Sequence, residues 1–76
     1  MYKKIGETIK SKRYERGLSL NDLSSITGIS RMTLYRIEEG NSNLLLINLI
    51  KICLALQISL FEILADYKQY IEVQGI

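Results

Sequence analysis

Residues 30–40 combine arginines, a methionine and a tyrosine at spacings that one helical face can present together. At 100° per residue, one side of such a helix carries Arg31, Met32, Tyr35, Arg36 and Glu39. The opposite side carries Ser30, Thr33, Leu34 and Ile37. An arginine fork can bond guanine, and an apolar side chain can contact the thymine methyl group. We interpret Arg31, Met32 and Arg36 as candidate base-reading residues, although an ordinary exposed helix would show the same pattern.

Two short predicted helices with a tight turn between them position this face. Ser19 can cap the second helix of the chain, which continues to Thr27 and ends at Gly28. Two residues later, Ser30 can cap a third helix, which stops before Gly40. Such a pair forms a helix-turn-helix, whose second helix lies in the major groove of DNA. This context favours base reading over an unused surface helix.

Three more helices are predicted around this unit. Helix 1 runs from about Lys4 to Glu15, and its inward stripe contains Ile5, Ile9 and Arg13. Helix 4 covers roughly Leu45 to Leu56. Helix 5 begins at Ser59, which fits a capping box with Glu62, and ends near Asp66.

The whole pattern predicts an all-α fold of five helices. The chain of 76 residues has no proline, and its apolar residues recur at helical spacing over most of its length. We expect one DNA-binding domain over residues 1–66 and a tail over residues 67–76. In the tail, the alternation at Ile71 and Val73 slightly favours a short strand over an extension of helix 5.

Composition excludes several classes of function. Cys53 is the single cysteine and histidine is absent, so we expect no disulfide, no metal site and no cofactor. Without a histidine base, a carboxylate pair or a glycine-rich phosphate loop, an enzyme is not expected. The apolar stretch 44–56 is too short to span a bilayer, and residues 1–6 lack a signal-peptide core. We therefore expect a cytoplasmic protein without membrane contact, small-molecule ligand or ligand-sensing domain.

Charge is distributed unevenly along the chain. Residues 1–40 contain eight Lys or Arg and five Asp or Glu, a net charge of +3, whereas residues 41–76 contain two and three, a net charge of −1. A basic amino-terminal half suits a polyanionic partner, although a solvated face of mixed charge is the commoner cause of such a difference.

These motifs resemble the Cro and lambda-repressor type of helix-turn-helix regulators, also called the xenobiotic response element family. The resemblance covers about residues 5–64 and rests on segments 9–13, 17–19, 28–31, 37–38 and 56–64, with Leu23 and Gly40. It implies that Arg31, Met32 and Arg36 occupy the base-reading positions and that Arg13 pairs with Glu38 inside the fold. The helical wheel separately places Arg13 on the inward stripe of helix 1.

Contacts with the DNA backbone are expected from short polar groups near helix starts and in the following loop. The candidates are Ser19, Ser30, Thr33, Tyr35, Asn41, Ser42 and Asn43. The serines and the loop residues are equally suited to ordinary capping or loop roles. Two departures from the family should weaken phosphate binding: Leu20 stands where a glutamine is usual, and Glu39 adds an acidic group nearby.

Helix 4 is more apolar than one core face requires. Its predicted inward arc consists of Leu46, Leu49, Ile52, Cys53 and Leu56. The arc is extended around the side by Ile47, Ile50 and Leu54, and Phe61 adds to this surface. We expect these last four residues to form a homodimer interface that sets two recognition helices about 34 Å apart on a palindromic operator. The alternative is a core helix covered on its second side by Tyr2, Tyr67 or the tail.

Two functional hypotheses follow from these features. The first is a sequence-specific transcriptional regulator that binds double-stranded DNA, of the phage-repressor type or the restriction-modification controller type. The second is an antitoxin that binds a partner toxin through helix 4 and the tail, and that also represses its own promoter. A gene for a toxin, a restriction enzyme or a methyltransferase beside this one would discriminate between them.

Overall fold

A computed structural model describes residues 2–41 and 44–64, and these residues form five α-helices. The helices are α1 (Tyr2–Glu15), α2 (Leu20–Thr27), α3 (Arg31–Glu38), α4 (Leu46–Leu56) and α5 (Leu60–Leu64). The described part contains no strand, which confirms the all-α prediction. The predicted strand near Ile71 and Val73, the tail 67–76 and the helix end near Asp66 lie outside the described residues.

Serine caps begin α2 and α3 where the sequence predicts them. The Asp22 N–H donates to Ser19 Oγ at 3.0 Å, and the Ser19 N–H donates to Asp22 Oδ2 at 2.9 Å, which completes a capping box. At α3, the Thr33 N–H donates to Ser30 Oγ at 3.1 Å. Each cap satisfies an amide that has no partner within its own helix. These local bonds fix the starts of both helices of the helix-turn-helix.

The turn between α2 and α3 is fixed by a short network of hydrogen bonds. Gly28 has φ of 77°, a left-handed conformation that glycine adopts without a Cβ clash, and its N–H donates to Ser24 O at 2.8 Å. The Ser24 hydroxyl donates to Ile29 O at 2.6 Å, and the Ile29 N–H donates to Thr27 Oγ1 at 3.1 Å. The network holds α3 at a defined angle to α2.

One hydrophobic core joins all five helices. α3 packs against α1 and α2, α4 packs against α2 and α1, and α5 packs against α1. The fully buried side chains are Ile9, Leu23, Leu34, Ile52, Leu56 and Ile63. A Cβ atom on Gly6 would collide with the carbonyl oxygens of Ile37 and Glu38, so the backbones of α1 and α3 touch there. This close contact places the end of α3 directly on α1.

Three details differ from the sequence-based predictions. α1 begins at Tyr2 and not at Lys4. The capping box predicted for Ser59 and Glu62 is wrong: Ser59 Oγ accepts the Phe61 N–H at 3.0 Å, and the Glu62 carboxylate lies 3.5 Å from Lys12 Nζ.

Leu46 is the third difference, because it was placed on the inward arc of α4 and is exposed. It is the first residue of the helix and falls at the edge of that arc, beyond the reach of the core. Elsewhere the arc is as predicted, since the other four residues are buried. Among the described residues, no helix is long and apolar enough to cross a membrane.

Candidate nucleic-acid interface

α3 has a buried face and an exposed face, and the exposed one carries the predicted base-reading residues. Leu34 and Ile37 are buried in the core. Arg31 and Arg36 are exposed, and about half of the Met32 and Tyr35 surface is accessible. The structure therefore places two guanidinium groups, a thioether and a phenol on one side of a helix whose ends are fixed.

A buried ion pair anchors α3 on its buried side. Arg13 Nε lies 2.7 Å from Glu38 Oε2, and Arg13 Nη2 donates to Glu38 Oε1 at 2.9 Å. Arg13 Nη1 also donates to Leu18 O at 2.9 Å, so the guanidinium ties the end of α1 to α3 and to the loop before α2. The hydrogen bonds that Arg13 donates to the Glu38 carboxylate raise the pKa of Arg13. The pair holds α3 against α1.

The hydroxyl groups of the two cap residues already form hydrogen bonds within the protein. The Ser30 hydroxyl donates to Thr33 Oγ1 at 2.8 Å while accepting the Thr33 N–H. Ser19 Oγ accepts the Asp22 N–H. A hydroxyl group has one proton to donate, and the proton of Ser30 is used within the protein.

The start of α2 carries a negative charge. Hydrogen bonds from Ser19, chiefly from its backbone N–H, lower the pKa of Asp22, so this carboxyl group is ionised at neutral pH. Leu20, the first residue of α2, is half-buried against the core and offers no polar side chain. The first turn of α2 therefore combines a carboxylate with an apolar side chain.

The end of α3 carries polar groups and an acidic residue whose charge is partly offset by a lysine. Tyr35 and Asn41 are accessible, and the Asn41 N–H donates to Arg36 O at 2.9 Å, which holds Asn41 against the end of α3. Glu39 lies 3.8 Å from Lys10 Nζ, so a lysine of α1 offsets its charge. Ser42 and Asn43, two of the predicted phosphate contacts, lie outside the described residues.

Sequence reasoning missed Tyr14. This tyrosine lines an open groove together with Ser19, Asn21 and Arg31, which joins the last turn of α1 to the first residue of α3. No local sequence signal marks it, because the groove exists only after α1 and α3 pack together.

A second exposed surface lies on α4 and α5 and is apolar. Leu54 is 74% exposed and Phe61 is 86% exposed, and Ile47 and Ile50 are also exposed. We call these four residues the apolar surface. The buried side of α4 makes its core contacts without these four residues. Within the described part of one chain, their side chains stay exposed.

Cys53 belongs to the core and not to either surface. It is buried, and burial raises the pKa of its thiol. A buried cysteine of this kind is a small apolar packing residue with little reactivity. Within residues 2–41 and 44–64, no group of three His, Cys, Asp or Glu side chains is placed to hold a metal ion.

The comparisons with known proteins identify the family. The helix-turn-helix family model HTH_3 matches residues 9–63, which contain α2 and α3 and the apolar surface. The chain belongs to this family. The resemblance to the Cro and lambda-repressor type of regulators, stated from the sequence motifs, is thereby confirmed. No curated protein sequence matches the chain closely enough to count as a relative.

Solved structures with the same fold are transcriptional regulators. The restriction-modification controller protein C.AhdI from Aeromonas hydrophila is 31% identical with a TM-score of 0.79, over 82% of this chain and 94% of that one. An HTH_3 family transcriptional regulator from Vibrio cholerae is 33% identical with a TM-score of 0.79, over 91% of this chain and 39% of that one. The clp gene regulator ClgR from Corynebacterium glutamicum shares the fold, with a TM-score of 0.82 and 23% identity. The match covers 97% of this chain and 79% of that one.

The family and these structures agree with a DNA-binding transcriptional regulator. None of the three descriptions mentions a toxin, so the antitoxin hypothesis gains no support from them.

Proposed function

We propose that this chain is a sequence-specific transcriptional regulator that binds a palindromic DNA operator as a homodimer and has no enzymatic activity. The observation that carries the proposal is α3: one face is buried, and the opposite face presents Arg31, Met32 and Arg36 from a capped helix-turn-helix. In this motif the second helix enters the major groove.

The side chains of α3 have complementary base-reading chemistry. Arg31 and Arg36 bond the O6 and N7 atoms of guanine, and Met32 contacts a thymine methyl group. Each well-formed bidentate contact discriminates against the wrong base by about 1–3 kcal/mol. Around them, Thr33, Tyr35 and the loop that begins at Asn41 contact phosphates and fix the register without reading sequence.

The apolar surface packs against the same surface of a second copy. Ile47, Ile50 and Leu54 follow i, i+3, i+7 spacing along α4, which gives a continuous stripe beside Phe61. A stripe of this kind is self-complementary about a two-fold axis, which is the commonest symmetry of small oligomers. The resulting dimer sets two α3 helices about 34 Å apart, one turn of B-DNA.

The similarity to C.AhdI supports regulation of the controller or repressor type. C.AhdI is a restriction-modification controller protein, and the similarity extends over nearly all of that chain. In this type of regulation, control comes from protein concentration and operator occupancy.

Selection of bound fragments from a random duplex library by the purified protein, at stated salt, tests this function. We expect an inverted repeat whose half-sites are centred about 10–10.5 base pairs, or a multiple of this, apart. Enrichment of a single unrepeated site would contradict the dimeric arrangement, and no enriched sequence would contradict sequence-specific binding.

A further inference from the structure

Tyr14 is an exposed aromatic residue at the edge of the DNA-facing surface, outside the helix-turn-helix. It is 64% exposed, although it belongs to the last turn of α1. The groove that it lines also contains Arg31, the first residue of α3. A DNA backbone beside the major groove that α3 enters would therefore pass along this groove.

The ring of Tyr14 is held in place before any ligand binds. The Cζ atom of Arg13 lies 4.7 Å from the centre of the ring, a cation–π contact. Arg13 is itself fixed by Glu38 and by the carbonyl of Leu18. A side chain held in this way loses little conformational entropy on binding, so its hydroxyl is a preorganised hydrogen-bond donor.

The charges around the groove favour an anion on the side of Tyr14 and Arg31. Arg13 is neutralised by Glu38, but Arg31 has no carboxylate within ion-pair distance among the residues that the structure describes. The ionised carboxylate of Asp22 accepts the Ser19 N–H, and Asp22 does not line the groove.

We propose that the Tyr14 hydroxyl donates a hydrogen bond to a phosphate of the DNA backbone that flanks α3. This inference rests on the proposed function and deepens it, because it names a contact from α1 that sets affinity and leaves sequence preference unchanged. The phosphate lies against the phenol in the groove that Arg31 also lines.

The test compares two variants that each remove one phenol hydroxyl from α1. Tyr14→Phe keeps the ring over Arg13, and Tyr2→Phe is the matched control, about 18 Å away at 1.5 Å per residue. Affinity is measured by fluorescence anisotropy on a random-sequence duplex and on the selected operator, across a series of salt concentrations. The melting temperatures of both variants should equal that of the wild type.

We expect Tyr14→Phe to bind both duplexes about three- to tenfold more weakly, the usual effect of losing one hydrogen bond. The slope of affinity against salt should stay unchanged, because no charge is removed. Tyr2→Phe should bind as the wild type does. Equal affinity of the two variants on both duplexes would overturn the inference.

Failure of the proposed function is a separate outcome. If the wild type shows no sequence preference while Tyr14→Phe still weakens binding to the random duplex, sequence-specific regulation is contradicted and the Tyr14 contact is supported.

Discussion

Arg13 and Glu38 show how two charged residues can be accommodated in a core this small. The guanidinium donates three hydrogen bonds, two to the carboxylate and one to Leu18 O. Both charges lose their water on folding, and only this geometry offsets that cost. The pair therefore acts as one unit, and losing either member leaves the other buried without a partner.

We predict that Arg13→Met and Glu38→Gln each lower the free energy of unfolding by about 3–5 kcal/mol, and that the double variant loses much less than the sum. Urea unfolding at fixed protein concentration measures all three. Lys10→Met is the control, because it breaks the exposed pair with Glu39 and should cost less than about 1 kcal/mol. Additive losses in the double variant would show that the two charges act independently.

At single residues, the sequence is informative where periodicity or a motif applies. The wheel placed Arg13 on the inward stripe of α1, and the family resemblance supplied Glu38 as its partner. Tyr14 could not be found in this way, because its exposure and its position beside Arg31 depend on how α1 packs against α3.

At the scale of helices, the starts of α2 and α3 were predictable from their polar caps, and the uncapped start of α4 was predicted within one residue. Ser19 and Ser30 cap α2 and α3 as predicted because their bonds are local. α1 extends two residues further than predicted, since no capping residue precedes it. At α5 a tertiary ion pair with Lys12 takes the Glu62 side chain that a local capping box would have used.

The capping box of α2 makes stability depend on pH. Because the pKa of Asp22 is lowered in the folded chain, below its unfolded value of about 3.9, its contribution is present above that pH and is lost as pH falls through the folded value. We predict that the free energy of unfolding of Asp22→Asn falls less steeply than that of the wild type across this window. Urea unfolding at several pH values, followed by circular dichroism, measures it, and parallel curves would contradict the role of Asp22.

For the whole molecule, the exposed polar face of α3 and the exposed apolar face of α4 were predictable from two helical wheels. The wheels separate inward from outward residues on α3 and α4, and only Leu46 was misplaced. The groove between α1 and α3 was not predictable, because it depends on tertiary packing. The distance between the α3 helices of two copies was not predictable either. It depends on how a second chain docks, and a helical wheel describes a single helix.

We predict that Ile47→Lys converts the dimer to a monomer, because a lysine cannot be buried at a two-fold interface without a partner. Ile26→Lys is the matched control: Ile26 is 57% exposed on α2 and Ile47 is 55% exposed on α4. Sedimentation velocity over a range of concentrations distinguishes the two species. If both variants sediment as the wild type does, the apolar surface is not the interface.

Whether α3 reads bases is decided by repeating the selection experiment with Arg31→Ala, Arg36→Ala and Arg16→Ala. Arg16 lies outside α3, so its loss removes the same charge without removing a base contact. We predict that each α3 variant loses preference at defined base pairs, by about 1–3 kcal/mol, while Arg16→Ala keeps the wild-type preference. Unchanged preferences in all three variants, with only weaker overall binding, would contradict base reading by α3.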